Sequence, residues 1–182
     1  MVHQILVIGY SEDHCTKRAY EMSREVGREI ARQKAVLVTG GLGGVMEAAS
    51  RGARENGGLA IGIIPQEDKI HANEYCNVVV CTGMGYMRDF ITAYTGDAVI
   101  IIGGGAGTEI EALVAYFKQK PIVALVGSGG VADKLAGTHL DDRQLIRVMA
   151  EKEPQKAVKA VLSILERPTT GPTIPRRAEN LR

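Results

Sequence analysis

The chain has 182 residues, 45% of them hydrophobic, and its 22 basic and 21 acidic residues leave a formal net charge of +1. This composition predicts one globular domain, and the balanced charge gives no sign of nucleic acid or an anionic membrane as a partner, so neither is expected. Three cysteines without C-x-x-C spacing, and no apolar run near the ~20 residues of a membrane span, indicate free thiols and a cytoplasmic protein.

Short apolar runs alternate with segments of helical composition along most of the chain. Strands are predicted at residues 4–9, 35–39, 59–64, 78–81, 97–102 and 121–126. Helices are predicted at 16–33, 44–56, 85–94, 108–118, 131–135 and 154–165, and residues 146–150 fit either an edge strand or part of a helix. Wholly apolar strands that alternate with helices are typical of a parallel sheet covered on both faces. We therefore expect an α/β fold, a Rossmann-like doubly wound parallel sheet over residues 1–166, followed by a flexible tail rich in Pro and Arg over 167–182.

Two predicted helices carry apolar stripes that we expect to face the core. The stripes are Met87, Phe90, Ile91 and Tyr94, and Ile110, Leu113, Val114 and Phe117. Glu109 and Glu111 flank the second stripe about 200° apart around the helix, so only one of them can face a crevice. Cys81 is expected to be a buried strand residue.

Small residues follow four of the predicted strands. Because ligands of open α/β sheets bind at the carboxyl ends of the strands, these loops predict a pocket of backbone N–H groups suited to a phosphate. The alternative is that the glycines only make tight turns. The predicted ligand contacts are Gly9, Ser11, Gly40, Gly41, Gly43, Gly44, Thr82, Gly83, Met84, Arg88, Gly103, Gly104, Gly105, Ala106, Gly107 and Thr108. No lysine follows these clusters as a Walker A loop requires, so ATP hydrolysis of that type is not expected. Neither the Gly40 nor the Gly103 cluster fits G-x-G-x-x-G/A, the fingerprint of dinucleotide-binding Rossmann proteins.

Residues 104–111, GGAGTEIE, fit the G-G-x-G-T-x-x-E core of the LOG superfamily, the lysine-decarboxylase-like Rossmann proteins. Other pieces occur in the same order: residues 39–46, TGGLGGVM, resemble its second-strand glycine loop, residues 62–65, GIIP, resemble its third strand, and Arg88 stands at its arginine position. The resemblance covers about residues 4–165 and implies a ligand site in the glycine-lined crevice.

The resemblance implies several functions. The best-known members are phosphoribohydrolases, which release the free base from a nucleoside 5′-monophosphate such as a cytokinin riboside monophosphate or AMP. Their motif usually opens with proline where this chain has Gly103, and a basic residue commonly follows the arginine where this chain has Asp89. Both departures resemble the branch of molybdenum cofactor carriers, which bind a pterin phosphate. The resemblance thus implies a binding or carrier protein, with a phosphoribohydrolase and a nucleotide-sensing regulatory protein as alternatives.

Arg88 and Glu111 each have two interpretations. In a hydrolase they would be catalytic, with Glu111 steadying an oxocarbenium-like state and Arg88 binding the phosphate or polarising the leaving base. Otherwise Glu111 closes a capping box in which Thr108 is the N-cap, and Arg88 forms a surface pair with Asp89 or Asp97.

The expected partner is a small phosphate-containing molecule. No cofactor is required for a reaction, and a molybdopterin cofactor or a nucleotide would be the bound ligand. No His or Cys spacing resembles a metal site, so no metal is expected. A homodimer or homotetramer is expected.

Overall fold

The computed structural model describes residues 1–167, which contain seven strands and six α-helices. The strands are β1 (Gln4–Gly9), β2 (Val36–Thr39), β3 (Ala60–Ile64), β4 (Val78–Cys81), β5 (Ala98–Ile102), β6 (Ile122–Leu125) and β7 (Met149–Glu151). The helices are α1 (Lys17–Arg32), α2 (Val45–Glu55), α3 (Arg88–Thr95), α4 (Ala106–Phe117), α5 (Gly130–Leu135) and α6 (Pro154–Leu165). The predicted tail lies outside the described residues except for Arg167.

All seven strands pair in parallel in one sheet, in the order β4-β3-β2-β1-β5-β6-β7. The chain starts in the middle of the sheet and builds outward to one edge, then returns to β5 and builds to the other. β1 and β5 are therefore the neighbours at which the strand order reverses, and their carboxyl ends are where ligands of open α/β sheets bind. The predicted Rossmann-like α/β fold is confirmed.

The sheet is covered on both faces because successive strand residues point to opposite sides. On β1, Ile5 and Val7 pack under α1, α2 and α6, while Leu6 and Ile8 pack under α3, α4 and α5. Local signals fix the helix ends: Thr16 caps α1 by accepting a hydrogen bond from the Ala19 N–H at 3.1 Å. α6 begins with a proline at its first turn, as predicted.

Contrary to our expectation, most residues of the two apolar stripes point away from the core, while Ile91 is half-buried against it. Phe90, Tyr94, Ile110, Leu113 and Phe117 are 37% to 53% exposed, and Met87 is also exposed, whereas Val114 is buried. The reason is that α3 and α4 turn small residues, such as Ala93, Ala112 and Ala115, towards the sheet. Periodicity identified the stripes correctly but not which face of each helix meets the core.

Two further predictions concern the edges of the sheet. Of residues 146–150, the last two belong to the edge strand β7 and none lies in a helix. The prediction that Cys81 is buried is wrong, because β4 forms the other edge and leaves that side chain exposed. All three cysteines are free thiols, as predicted.

Candidate functional site

The predicted ligand residues gather at one edge of the sheet. Gly9 ends β1 and Ser11 follows it, residues 40–44 follow β2, residues 82–84 follow β4 and residues 103–108 follow β5. Since the strands are parallel, these four loops share the carboxyl edge around the switch point. Sequence reasoning placed them correctly, while their contact with a ligand stays a prediction.

Several of these glycines make room for protein rather than for a ligand. A Cβ atom on Gly40 would lie 2.7 Å from Nη1 of Arg88, so this glycine allows the guanidinium to pack against the backbone. A Cβ on Gly103 would lie 2.1 Å from the ring of Tyr10, and one on Gly104 would lie 2.5 Å from Oγ1 of Thr108. The packing of neighbouring residues is enough to explain why these positions are glycine.

The remaining predicted residues after β1, β2 and β4 shape their loops. They lie as follows: Gly9 faces the Ile102 carbonyl, Gly41 faces Gly62 and Ile64, Gly43 faces Glu12, Gly44 faces the Tyr10 carbonyl, and Gly83 faces Glu67. The Thr82 hydroxyl donates to the Ile64 carbonyl at 2.8 Å, while Ser11 and Met84 are exposed. These contacts hold the loops after β1, β2 and β4 in place.

The open part of the glycine motif is the first turn of α4. A Cβ on Gly105 would meet nothing within 4 Å, and one on Gly107 would meet only Oδ2 of Asp89, at 3.7 Å. The first-turn N–H groups, those of Ala106, Gly107 and Thr108, have no acceptor within their own helix. Backbone donors at a helix N-terminus attract anions, so this turn can hold a phosphate.

The capping box predicted for Thr108 and Glu111 is wrong. α4 begins at Ala106 with Gly105 as its N-cap, because positive φ angles at Gly103 (60°) and Gly104 (100°) turn the chain into the helix early. The Thr108 hydroxyl donates to the Gly9 carbonyl at 3.1 Å and ties α4 to the end of β1. A hydroxyl has one hydrogen to donate, so only the Thr108 backbone N–H is free for an anion.

Arg88, Asp89 and Glu111 form a buried charge cluster beside this turn. Nη1 of Arg88 lies 2.8 Å from Oδ1 of Asp89 and 3.9 Å from Oε1 of Glu111. The three residues are 9%, 6% and 6% exposed, and neither Nε of Arg88 nor Oε1 of Glu111 has a hydrogen-bond partner. Glu109, as predicted, lies on the other side of the helix, where it pairs with Lys134 at 2.7 Å.

Burial changes the charge of the cluster. It raises the pKa of Glu111 to about 8, with the nearby Asp89 carboxylate adding to the rise and Arg88 opposing it. Burial also raises the pKa of Asp89, against the pull of Arg88. Near neutral pH, Glu111 is therefore mostly protonated while Arg88 and Asp89 neutralise one another.

We expect Glu111 to make folding stability fall as pH rises. Its pKa is about 8 in the folded protein and near the ordinary 4.5 when unfolded, so the folded state holds the extra proton between these values. This stability is fully present below about pH 4.5 and is lost as pH rises through 8. Urea unfolding from pH 5 to 9 should show wild type losing stability relative to Glu111→Gln, whose amide does not titrate. A stability difference that stays constant over this range would contradict the shifted pKa.

A cleft of about 420 Å³ opens beside Arg88 and Asp89. Its other lining residues are Leu42, Pro65, Gln66, Gly85 and Tyr86. Tyr86 is 92% exposed, and Oε1 of Gln66 is buried without a hydrogen-bond partner. Sequence reasoning missed Gln66 and Tyr86, although Gln66 follows β3 and the rule that ligands bind at strand carboxyl ends could have found it.

Neither a metal site nor a membrane-spanning helix is found in residues 1–167. That part of the chain has no group of three or more His, Cys, Asp or Glu side chains arranged to hold a metal ion. It also has no helix that is long and apolar enough to cross a membrane.

The fold defines an α/β protein of the Rossmann-like class, with glycine-rich loops at the carboxyl ends of its strands. A family model described as the SLOG cluster4 family matches residues 2–158, and the chain belongs to this family. An uncharacterised protein from Archaeoglobus fulgidus is 39% identical over 122 residues, which are 67% of this chain and 79% of that protein.

Two solved structures share the fold closely. The molybdenum cofactor binding protein from Rippkaea orientalis is 30% identical, with a TM-score of 0.80 and coverage of 91% of this chain and 98% of its own. The molybdenum cofactor carrier protein from Chlamydomonas reinhardtii is also 30% identical, with a TM-score of 0.80 and coverage of 92% and 100%.

Proposed function

We propose that the protein is a binding or carrier protein for a phosphate-bearing nucleotide or pterin ligand, of the molybdenum cofactor carrier type. The observation that carries the proposal is the open first turn of α4, at Gly105 and Gly107, beside the buried Arg88 and the 420 Å³ cleft. The likeness to two molybdenum cofactor proteins along nearly the whole chain supports the same function.

In this proposal the two parts of the ligand bind at two neighbouring places. The phosphate lies at Gly105, where backbone N–H groups and the helix dipole favour negative charge. The flat ring lies in the cleft, whose walls include Leu42, Pro65 and the exposed ring of Tyr86. Apolar walls with a few polar groups are typical of small-molecule sites.

The alternative is a LOG-type phosphoribohydrolase. One observation favours it: Nη1 of Arg88 lies 3.9 Å from Oε1 of Glu111. The raised pKa of Glu111 argues against the role that this alternative gives it, because a carboxylate that steadies an oxocarbenium-like state must be charged and burial keeps Glu111 mostly protonated near neutral pH. Asp89, which pairs with Arg88 at 2.8 Å, also offsets the charge that a phosphate would need there.

The proposal is tested by identifying the small molecule that the protein binds. Native mass spectrometry of the purified protein is expected to show a bound small molecule, and reconstitution with molybdopterin cofactor should show that the protein retains it and slows its oxidation. Gly105→Ala is the matched variant, because its Cβ enters open space at an unstrained φ of −124°. It should keep the melting temperature and retain less ligand.

A hydrolysis assay on the same purified protein separates a carrier from an enzyme. With AMP and related monophosphates, chromatography should detect no free base, and wild type should equal Glu111→Ala. Release of base that depends on Glu111 would establish the hydrolase instead. If the protein neither retains nor protects molybdopterin but does bind nucleotides without cleaving them, a nucleotide-sensing protein replaces the carrier.

We also propose that the protein is a homodimer or homotetramer assembled through α3 and α4. We call the exposed residues Phe90, Tyr94, Ile110, Leu113 and Phe117, together with the buried Val114, the outer apolar face. They line a groove of about 250 Å³ next to Lys118. The cations lie at its rim, with Arg143 4.9 Å from the Phe117 ring and Lys118 5.3 Å from the Tyr94 ring. An apolar centre with a charged rim is typical of protein interfaces.

A further inference from the structure

The cleft contains one carboxylate that no neighbour fully uses. Asp89 lines the cleft, and its Oδ1 accepts a hydrogen bond from Nη1 of Arg88 at 2.8 Å. Oδ2 accepts none among residues 1–167, and it faces the open side of α4, 3.7 Å from the position of a Cβ on Gly107. Each carboxylate oxygen has two lone pairs, so Asp89 can accept two further hydrogen bonds while it keeps Arg88.

The groups around Asp89 also lack partners. Nε of Arg88 and Oε1 of Glu111 are buried and make no hydrogen bond, and they belong to residues that are 9% and 6% exposed. Oε1 of Glu111 points at the Arg88–Asp89 pair, 3.9 Å from Nη1. Both unpartnered atoms are closed to solvent, whereas Asp89 lines the cleft, so a ligand group reaches this cluster at Asp89.

The charge of the cluster determines what kind of group fits. Arg88 and Asp89 neutralise one another, and Glu111 adds no full negative charge near neutral pH. A phosphate placed here would meet the Asp89 carboxylate, whereas a neutral N–H group would donate to it. The ligand group that fits beside Asp89 is therefore a hydrogen-bond donor on the ring, not the phosphate.

We propose that Asp89 selects a ligand ring with two adjacent N–H donors, the 2-amino-4-oxo edge that guanine and pterin share. This inference rests on the proposed function. The two oxygens of a carboxylate match two parallel N–H donors, as they do in carboxylate–Arg pairs. Adenine presents one amino donor beside a ring-nitrogen acceptor, and that acceptor would face a carboxylate lone pair. Asp89 thus makes the site prefer guanine or pterin rings over adenine.

The test uses ligand pairs that differ only at the 2-amino group. Isothermal titration calorimetry of the full chain compares GMP with IMP, which lacks this group, and pterin with lumazine, which carries an oxygen there. A hydrogen bond to a charged group contributes about 1.5–3 kcal/mol, so wild type should bind GMP and pterin at least about tenfold tighter than IMP and lumazine.

Asp89→Asn should change the preference and not merely weaken binding. An amide that keeps its oxygen towards Arg88 turns its N–H₂ towards the ligand. The variant should lose the preference for GMP over IMP and bind lumazine tighter than pterin. Glu109→Gln is the control, since Glu109 lies on the other side of α4 and pairs with Lys134. It should leave the GMP-to-IMP and pterin-to-lumazine affinity ratios unchanged.

The possible failures are distinguishable. Equal affinity of wild type for the two members of each pair overturns this inference and leaves the proposed function intact. An Asp89→Asn variant that loses all four ligands equally also overturns it, because Asp89 then acts only by positioning Arg88. If none of the four compounds binds to a wild-type protein that does retain molybdopterin cofactor, this inference fails and the proposed function stands. If wild type retains neither the four compounds nor molybdopterin, both fail.

Discussion

Replacing Arg88 by methionine is expected to weaken the binding of GMP or pterin at least about 100-fold. Among the residues that line the cleft, Arg88 is the cation, and it holds Asp89 at 2.8 Å. Without Arg88, the pKa of the buried Asp89 rises and the carboxylate that accepts the ligand's N–H groups is lost. Two hydrogen bonds to a charged group, at about 1.5–3 kcal/mol each, cover a 100-fold change. Isothermal titration calorimetry on the purified variant measures the effect directly.

Two other variants separate this role from a general loss of charge or fold. Arg88→Lys keeps the charge but not the guanidinium fork, and we expect an intermediate loss. Arg51→Met removes a cation from an exposed pair with Glu55 and should bind as wild type does. If Arg88→Met unfolds cooperatively with normal circular dichroism and binds within about threefold of wild type, Arg88 has no part in ligand binding.

The sequence was sufficient for the fold because its signals are local. Apolar runs bounded by glycine or proline predict strands such as β1 and β3, and a capping threonine or a first-turn proline marks where α1 and α6 begin. The site is less predictable, because its residues meet only after folding. Gly40 makes room for the guanidinium of Arg88, 48 positions later, and Gly103 makes room for the ring of Tyr10, 93 positions earlier.

The Tyr10 contact changes the meaning of Gly103. The glycine motif of the hydrolases usually opens with proline. Because this chain has Gly103 there, the sequence favours the carrier. A residue with a Cβ at this position would overlap the Tyr10 ring, and proline is also unable to adopt the φ of 60° found there. Gly103 is thus explained by local packing and says little about catalysis. The preference for the carrier over the hydrolase depends instead on Asp89, which offsets the charge of Arg88, and on the raised pKa of Glu111.

The outer apolar face leads to the second large effect that we expect. Leu113 lies on this face and is 37% exposed. Leu113→Glu should reduce the assembly by at least one step, from dimer to monomer or from tetramer to dimer, with a subunit dissociation constant at least about 100-fold weaker. The cause is the cost of burying an unpaired carboxylate among apolar side chains, which amounts to several kcal/mol. Sedimentation velocity over a range of protein concentrations measures this shift.

Val80→Glu is the matched control. Val80 is also apolar and 42% exposed, but it lies on the edge strand β4, away from α3 and α4. If assembly uses the outer apolar face, Val80→Glu keeps the wild-type sedimentation coefficient and only Leu113→Glu changes it. The reverse result would move the interface to the β4 edge, and a monomeric wild type at about 100 µM would rule out the homo-oligomer. Because α3 and α4 also carry Arg88 and Glu111, assembly through this face would hold in place the two helices that carry the buried charge cluster.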